Sequence, residues 1–305
     1  MRPVPFHSSS GDLIADRRFE WARDHADRGD LAAAADLLIQ ALEIAPDYIS
    51  AWFMLGEVRA GLGDKAGAIE AFRKTLALDP ADRRGAHLQL MRLGAETADE
   101  MPPAYVRALF DGYAPVFDRT LVDRLDYCGP GLLFHAVMAS GRSLRFRTVL
   151  DLGCGTGLAA GAFRAHCTHL VGVDLSPGMI AQARVKGFYD RLEVGDVAEF
   201  LRGEAAAACD LVIAADVFVY MKELGPVLAA AARVMTDDAL IAFSVETHDG
   251  DGVMLRDTLR YAHGREHVLD ALGGAGLALV SLEAASMRTE KGVPVPGLIC
   301  VAGRA

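Results

Sequence analysis

Four aspartates close four successive apolar runs, and three alternate glycines follow the first of them. That first run ends Asp151-Leu152-Gly153-Cys154-Gly155-Thr156-Gly157, with a helix opening at about Leu158. Glycines at such a turn let the backbone bend sharply and let a ligand reach the free N–H groups of the helix start. The second run ends Gly172-Val173-Asp174-Leu175-Ser176, which puts a carboxylate 21 residues beyond Gly153. An acidic residue there can accept two hydrogen bonds from a ribose diol, so loop and carboxylate together indicate an adenosine-type cofactor. The third run ends Gly195-Asp196-Val197, where a carboxylate can accept from an exocyclic amine such as that of adenine. The fourth ends Ala214-Ala215-Asp216 and directs Asp216 toward the reaction centre. Each aspartate taken alone also reads as a helix N-cap or a turn residue; recurrence after four runs favours a binding site.

These residues need a frame. From Phe146 the chain alternates short β-rich runs (TVLDL, HLVGVD, RLEVG, CDLVIAA, ALIAFSVE, LALVSLEAASM, GLICVAG) with helix-length segments. The alternation predicts an α/β domain with a mostly parallel sheet and crossover helices. Ligands of such sheets bind beyond the carboxyl ends of the strands, where the four aspartates stand.

The front of the chain follows another rule. From Tyr48 it reads YISAWFMLGEVRAGLGDKAGAIEAFRKTLALDP, with Trp52, Leu55, Gly56, Ala68, Phe72 and Pro80 at the spacing of a tetratricopeptide repeat. One period earlier, Ala34, Leu38, Ala41 and Pro46 stand under Ala68, Phe72, Thr75 and Pro80. Residues 15–82 thus resemble the tetratricopeptide family, and segment 83–94 reads as a third, capping helix. Two repeats and a cap serve either as a helical appendage or dimer contact, or as a surface for a protein partner.

With 24% charged and 52% hydrophobic residues, the composition is that of a folded protein. A net charge of −10 excludes a generally basic nucleic-acid-wrapping surface. Five scattered cysteines without Cys-x-x-Cys spacing suggest neither a metal knot nor a redox pair. No stretch reaches membrane-helix length, and the start of the chain lacks a signal-peptide apolar segment, so the chain reads as cytoplasmic.

Through VLDLGCGTGLAA, VGVDLSPGMI, LEVGDVAEF and CDLVIAADVFVYM, residues 105–305 resemble the class I S-adenosylmethionine-dependent methyltransferases. The resemblance implies a Rossmann-like, seven-stranded methyltransferase sheet preceded by the all-α repeat domain. It implies S-adenosylmethionine as cofactor and S-adenosylhomocysteine as product. It places Asp151 and the loop Gly153, Cys154, Gly155, Thr156 and Gly157 against the methionine part, Asp174 at the ribose, and Asp196 and Val197 at the adenine, with Leu175 and Met179 sandwiching that ring or simply packing in the core. Ala215 and Asp216 complete the cofactor set. The segment LFDGYAPVFDRTLVDRLDYCGP, with the repeats in front, resembles more narrowly a group of predicted bacterial repeat-containing methyltransferases. Tyr113 and Phe117 in it, four apart on one helical face, either cover the cofactor's sulfonium as a lid or pack inward. The expected organisation is a repeat domain 1–95, a helical linker or lid 96–140 and a methyltransferase domain 141–305.

An oxygen or nitrogen acceptor can need a general base, and Tyr220, Glu246, His248, His263 and His267 are the candidates. His263 and His267 fall four apart on a helix predicted from Arg260 to Leu272, followed by a closing antiparallel hairpin. No metal is invoked, since two histidines lack a matching carboxylate set. Arg288, Glu290 and Lys291 either rim the substrate mouth or form a plain charged hairpin. The fourth motif, AADVF, lacks the Asn/Asp-Pro-Pro-Tyr of many base and glutamine methyltransferases. The expected acceptor is a small molecule or natural-product intermediate, without nucleic acid or membrane. The alternatives are a protein methyltransferase or cofactor-sensing adaptor that recruits a partner or self-associates through its repeats, and a nicotinamide-dependent oxidoreductase, whose G-x-G-x-x-A pattern Gly155–Ala160 also satisfies.

Overall fold

The computed structural model describes residues 8–97, 100–142, 145–290 and 292–305, so Lys291 lies outside the described residues. The chain divides into a helical unit ending at Leu109 and an α/β unit, Phe110–Ala305.

In the helical unit, α1 (Leu13–Asp27) and α2 (Leu31–Ile44) form one hairpin, α3 (Ile49–Gly61) and α4 (Lys65–Leu78) a second, and α5 (Ala86–Arg92) follows. Aspartate side chains start three of them: Asp12 accepts from the N–H groups of Ile14 and Ala15, Asp30 from Ala33, and Asp64 from Gly67. Pro46 and Pro80 lie just past the ends of α2 and α4, where a residue without an N–H cannot continue a helix. Phe72 is fully buried against Gly56, where a Cβ would stand 2.6 Å from its ring. The spacing-derived repeat is therefore a packing requirement: the second helix closes on the first only over a missing side chain.

Helix α6 (Pro103–Tyr113) leads to α7 (Phe117–Leu125) and α8 (Gly129–Ala139), and the sheet begins. Strands β1 (Phe146–Leu152), β2 (Cys167–Asp174), β3 (Arg191–Val194) and β4 (Cys209–Ala214) alternate with α9 (Leu158–Phe163), α10 (Pro177–Lys186) and α11 (Val197–Gly203). After α12 (Gly225–Val234) come β5 (Met235–His248), β6 (Val253–Leu255), β7 (Tyr261–Gly264), α13 (Arg265–Gly274), β8 (Leu277–Ala285), β9 (Thr289–Glu290), β10 (Val293–Pro294) and β11 (Gly297–Arg304). The main path is β3-β2-β1-β4-β5-β11-β8. Strands β1 to β5 pair in parallel, and β11 runs antiparallel to both β5 and β8. The strand order reverses direction on either side of β1, which opens a crevice over the carboxyl ends of β1, β2 and β4.

Both faces of the central strands β1, β4 and β5 are buried, while the outer strands β3 and β8 are largely exposed. Leu150, Leu152, Val173 and Phe243 meet Leu201, Leu228, Ala231 and Leu272 on one face. Val149, Leu170, Leu211 and Ile213 meet Leu133, Ala160 and Phe163 on the other. Strands covered on both sides read as continuous apolar runs, which is why the sequence announces them.

Two predicted features are corrected. Tyr261–Gly264 is strand, not helix: β5 overruns β4, and its last residues Glu246–His248 are paired by β7, which β6 pairs in turn. Satisfying an exposed strand edge outweighs the local helical pattern, and the helix starts only at Arg265. Tyr113 and Phe117 do not share a helix: α6 ends at Tyr113, a 3-10 turn spans Ala114–Val116, and α7 begins at Phe117. Pro115, which lacks an amide hydrogen, sits in that break.

Candidate functional site

The glycine loop follows β1 in the crevice. Gly153 has φ +61°, and a Cβ there would stand 2.5 Å from Val217, so only glycine fits without strain or clash. The Cys154 N–H donates to the Val173 carbonyl at 2.9 Å, tying the loop to the end of β2. Asp174 accepts the Gly155 N–H on Oδ2 and the Ser176 N–H on Oδ1, both at 2.8 Å. Each of its oxygens keeps a second lone pair, as a vicinal diol requires. Asp151, 1% exposed beneath the loop, accepts the Tyr189 hydroxyl on Oδ2 at 2.6 Å.

Burial pushes Asp151 up to about 7 and Asp174 up to about 6; the Tyr189 hydroxyl opposes the first shift, and the Ser176 and Gly155 N–H groups the second. A neighbouring acid adds to each rise, Asp174 acting on Asp151 and Asp111 on Asp174. Among the described residues no cation pairs with either carboxylate. A buried, acidic crevice under a glycine loop favours a ligand that brings positive charge.

Residues ahead of the sheet close over this loop. Asp111 accepts the Ser176 hydroxyl at 2.5 Å and the Gly178 N–H at 3.0 Å. Asp118 accepts the Thr156 hydroxyl and pairs with Lys186 Nζ at 2.6 Å. The same lysine reaches Thr156 Oγ1 at 3.2 Å. The Phe117 ring lies beside Gly155, edge-on to Phe110 at 6.0 Å, and Phe110 meets Tyr220 edge-on at 5.3 Å. Tyr113 is buried at the end of α6.

At the ends of β4 and β5 stands a charged network. Asp216, a non-glycine residue at φ +61°, has its N–H on Ser244 Oγ at 2.8 Å and its carboxylate on Arg288 Nη1 at 2.8 and 2.6 Å. That strained backbone at a strand end is typical of sites where geometry is held for function. Arg288 also donates to Glu246, which is 4% exposed and lies 3.4 Å from Arg256 and 3.8 Å from Arg260. Burial raises Glu246, and Arg288 and Arg260 oppose that rise. Arg260 Nη1 lies 2.6 Å from Glu290, its Nε donates to the Tyr220 hydroxyl at 3.2 Å, and its guanidinium lies 5.9 Å from the Tyr220 ring.

The remaining predicted residues sort themselves by contact. Asp196 caps α11, accepting from Ala198 and Glu199 at 2.9 and 3.0 Å. Met179 is fully buried on α10, Val197 is buried, and Leu175 and Ala215 are half-buried. His263 is fully buried; its Nε2 lies 3.0 Å from the Met221 carbonyl, and since a carbonyl only accepts, Nε2 carries the hydrogen. Burial pushes His263 down to about 4, with His267, 5.7 Å away, adding to the drop. It is a neutral anchor for the turn that carries Tyr220 rather than a reachable base. His248 accepts the Gly250 N–H at 3.1 Å and faces the Gly252 carbonyl at 3.3 Å, pinning its own loop. Among the described residues no His/Cys/Asp/Glu group holds metal-binding geometry. Sequence reasoning missed Phe110, Asp111, Asp118, Lys186, Tyr189, Arg256 and Arg260. The first three lie in the segment LFDGYAPVFD, already singled out by its resemblance; Tyr189 and the arginines carry no local signal.

The α/β unit has the Rossmann-like fold of known methyltransferases, and helical repeats precede it. A family model described as a methyltransferase domain matches residues 150–243, and one described as a tetratricopeptide repeat matches residues 19–83, so the chain joins a methyltransferase domain to tetratricopeptide repeats. It is 34% identical over 119 residues to methyltransferase-like protein 27 of Homo sapiens, covering 37% of this chain and 47% of that protein. It is 29% identical over 105 residues to the ubiquinone biosynthesis O-methyltransferase of Hahella chejuensis, covering 32% and 42% respectively. The chain spans less than half the length of either relative. Its fold is similar to that of the 1,6-didemethyltoxoflavin-N1-methyltransferase of Burkholderia thailandensis, crystallised with 1,6-didemethyltoxoflavin and S-adenosylhomocysteine; the TM-score is 0.52 at 19% identity, over 69% of this chain and 93% of that one. Among the described residues no helix is long and apolar enough to cross a membrane.

Proposed function

We propose that the protein is an S-adenosylmethionine-dependent methyltransferase acting on a small molecule. The observation that carries this reading is the pair of buried carboxylates, Asp151 and Asp174, flanking the glycine loop and paired with no cation among the described residues. A cofactor bearing an ammonium, a sulfonium and a ribose diol offsets that charge and uses the free lone pairs; the pyrophosphate of a nicotinamide dinucleotide would add negative charge to it.

When bound, the cofactor supplies a sulfonium methyl for in-line transfer to a nucleophile. The chain's own residues bind and exclude water. Asp174 takes the ribose hydroxyls, Asp151 the amino group, and the second oxygen of Asp196 the adenine amine, with Leu175 and Val197 beside it. Phe117 and Phe110 cover the loop and keep solvent out, so alignment and desolvation supply much of the rate. Tyr220 accepts from Arg260, which leaves its own hydroxyl hydrogen to donate to the acceptor. The similarity to a ubiquinone biosynthesis O-methyltransferase supports a small acceptor.

The test is calorimetric titration of S-adenosylhomocysteine and NADH into the wild type, Asp174→Asn and Asp174→Ala. S-Adenosylhomocysteine alone should bind, in the micromolar range, and lose about tenfold or more on substitution, as expected for a charge-assisted hydrogen bond. NADH binding in its place overturns the reading. Label transfer from the cofactor to phenols and small acids, compared with transfer to proteins of a cell extract, separates a small acceptor from a protein one.

A further inference from the structure

We infer that Arg260 and Arg288 form a guanidinium clamp for the carboxylate of an acidic acceptor, and that Glu290 is the chain's own carboxylate on that clamp, displaced when the acceptor binds. The inference rests on the methyltransferase reading above and names its substrate class.

Three guanidiniums, Arg256, Arg260 and Arg288, face three carboxylates, Asp216, Glu246 and Glu290. The carboxylates are not equivalent. Asp216 and Glu246 issue from β4 and β5 of the main sheet, and Arg288, 1% exposed, is wedged between them. Glu290 belongs to β9, a two-residue strand paired with β10 in a separate ladder. It reaches the network through Arg260 Nη1 at 2.6 Å and Arg288 Nε at 3.4 Å. Although burial alone would raise Glu290, the two arginines hold it below the usual carboxylate range, so it is ionised at neutral pH.

Glu290 is therefore the member of the trio that can leave without breaking the main sheet. Its departure strands one guanidinium charge at a place where the Arg260 side chain is only 10% exposed, which is costly unless another anion replaces it. A planar carboxylate restores both the charge balance and the paired N–H···O geometry that arginine offers. A neutral ligand restores neither. The location fits an acceptor: Arg260 touches Tyr220, Tyr220 packs on Phe110, Phe110 on Phe117, and Phe117 lies beside Gly155 of the glycine loop. A molecule anchored on the clamp lies alongside Tyr220, one row of aromatic rings from the cofactor loop.

The test is titration of the full chain with benzoate as probe and benzamide as its neutral counterpart, with and without S-adenosylhomocysteine. Glu290→Gln removes the internal competitor and keeps its shape, so it should bind benzoate about tenfold tighter than the wild type and leave benzamide unchanged. Combining it with Arg260→Gln should abolish the gain. Glu290→Ala serves as the second variant should the glutamine protein not fold. Equal benzoate binding by wild type and variant, or benzamide binding as well as benzoate, overturns the clamp and leaves a structural ion network. S-Adenosylhomocysteine affinity in the same samples reports on the cofactor reading separately: its loss with the benzoate result intact overturns the methyltransferase reading and leaves the clamp standing.

Discussion

At the scale of single residues, Asp151 sets binding against stability. Its carboxyl is buried and pushed up to about 7, so between the unfolded value and that point the folded chain holds a proton the unfolded chain has lost. The sign follows: the stability present below about pH 4 is lost as pH rises toward 7, by on the order of 4 kcal/mol for this group, and Asp174 adds a loss of the same sign. Asp151→Asn keeps an oxygen to accept the Tyr189 hydroxyl and cannot ionise. We expect it to raise the thermal midpoint at pH 8 relative to the wild type, flatten the decline between pH 5 and 8 and weaken S-adenosylhomocysteine severalfold. Thermal unfolding at the two pH values and a titration check this; unchanged affinity would remove Asp151 from the cofactor site. The glycines and acids around Asp151 were legible because adjacent residues encode turns and caps. Tyr189 was not, because its partner is 38 positions away and only burial brings the hydroxyl to the carboxylate.

At the scale of elements, the closure of α6 and α7 over the crevice is a matter of two aspartates. Asp111 grips the start of α10 and Asp118 grips Thr156 and Lys186, so the segment touches both loops that flank the candidate cofactor site. Asp118 and Lys186 are 42% and 25% exposed, and a pair so placed is worth little to overall stability, about 0.2–1 kcal/mol. Its effect is expected on exchange of the cofactor. Asp118→Asn keeps an oxygen for Thr156 and loses the ion pair, so S-adenosylhomocysteine should dissociate severalfold faster, with a rate that no longer rises with salt. Stopped-flow dissociation at low and high ionic strength measures it, and an unchanged salt response would reduce the pair to a surface contact. The two corrected elements belong to this scale. The break at Pro115 was readable in principle from the proline, whereas β7 was not, because an amphipathic segment becomes a strand only when an overrunning neighbour offers it an edge.

At the scale of the whole chain, each unit carries its own core, with Phe19, Leu38 and Leu55 in one and Leu150, Phe243 and Cys300 in the other. Ligand linkage acts on the unit that binds. We expect S-adenosylhomocysteine at about a hundred times its Kd to stabilise the α/β unit by about 2.7 kcal/mol and leave a transition of the helical unit in place. Differential scanning calorimetry with and without the ligand checks this, and an equal shift of all transitions would show the two units unfolding together. The sequence by itself determined the repeat hairpins, the succession of the sheet's main strands along the chain and the glycine loop with its aspartates. These follow from periodicity, capping and turn chemistry, which act between residues a few positions apart. Only the tertiary structure decided that Asp216 is held by Arg288, 72 positions on, that Glu246 lies among three guanidiniums, and that His263 is a buried anchor and not a base. Those outcomes depend on which charges lose their water together, and desolvation is a property of the packed chain, not of any stretch of it.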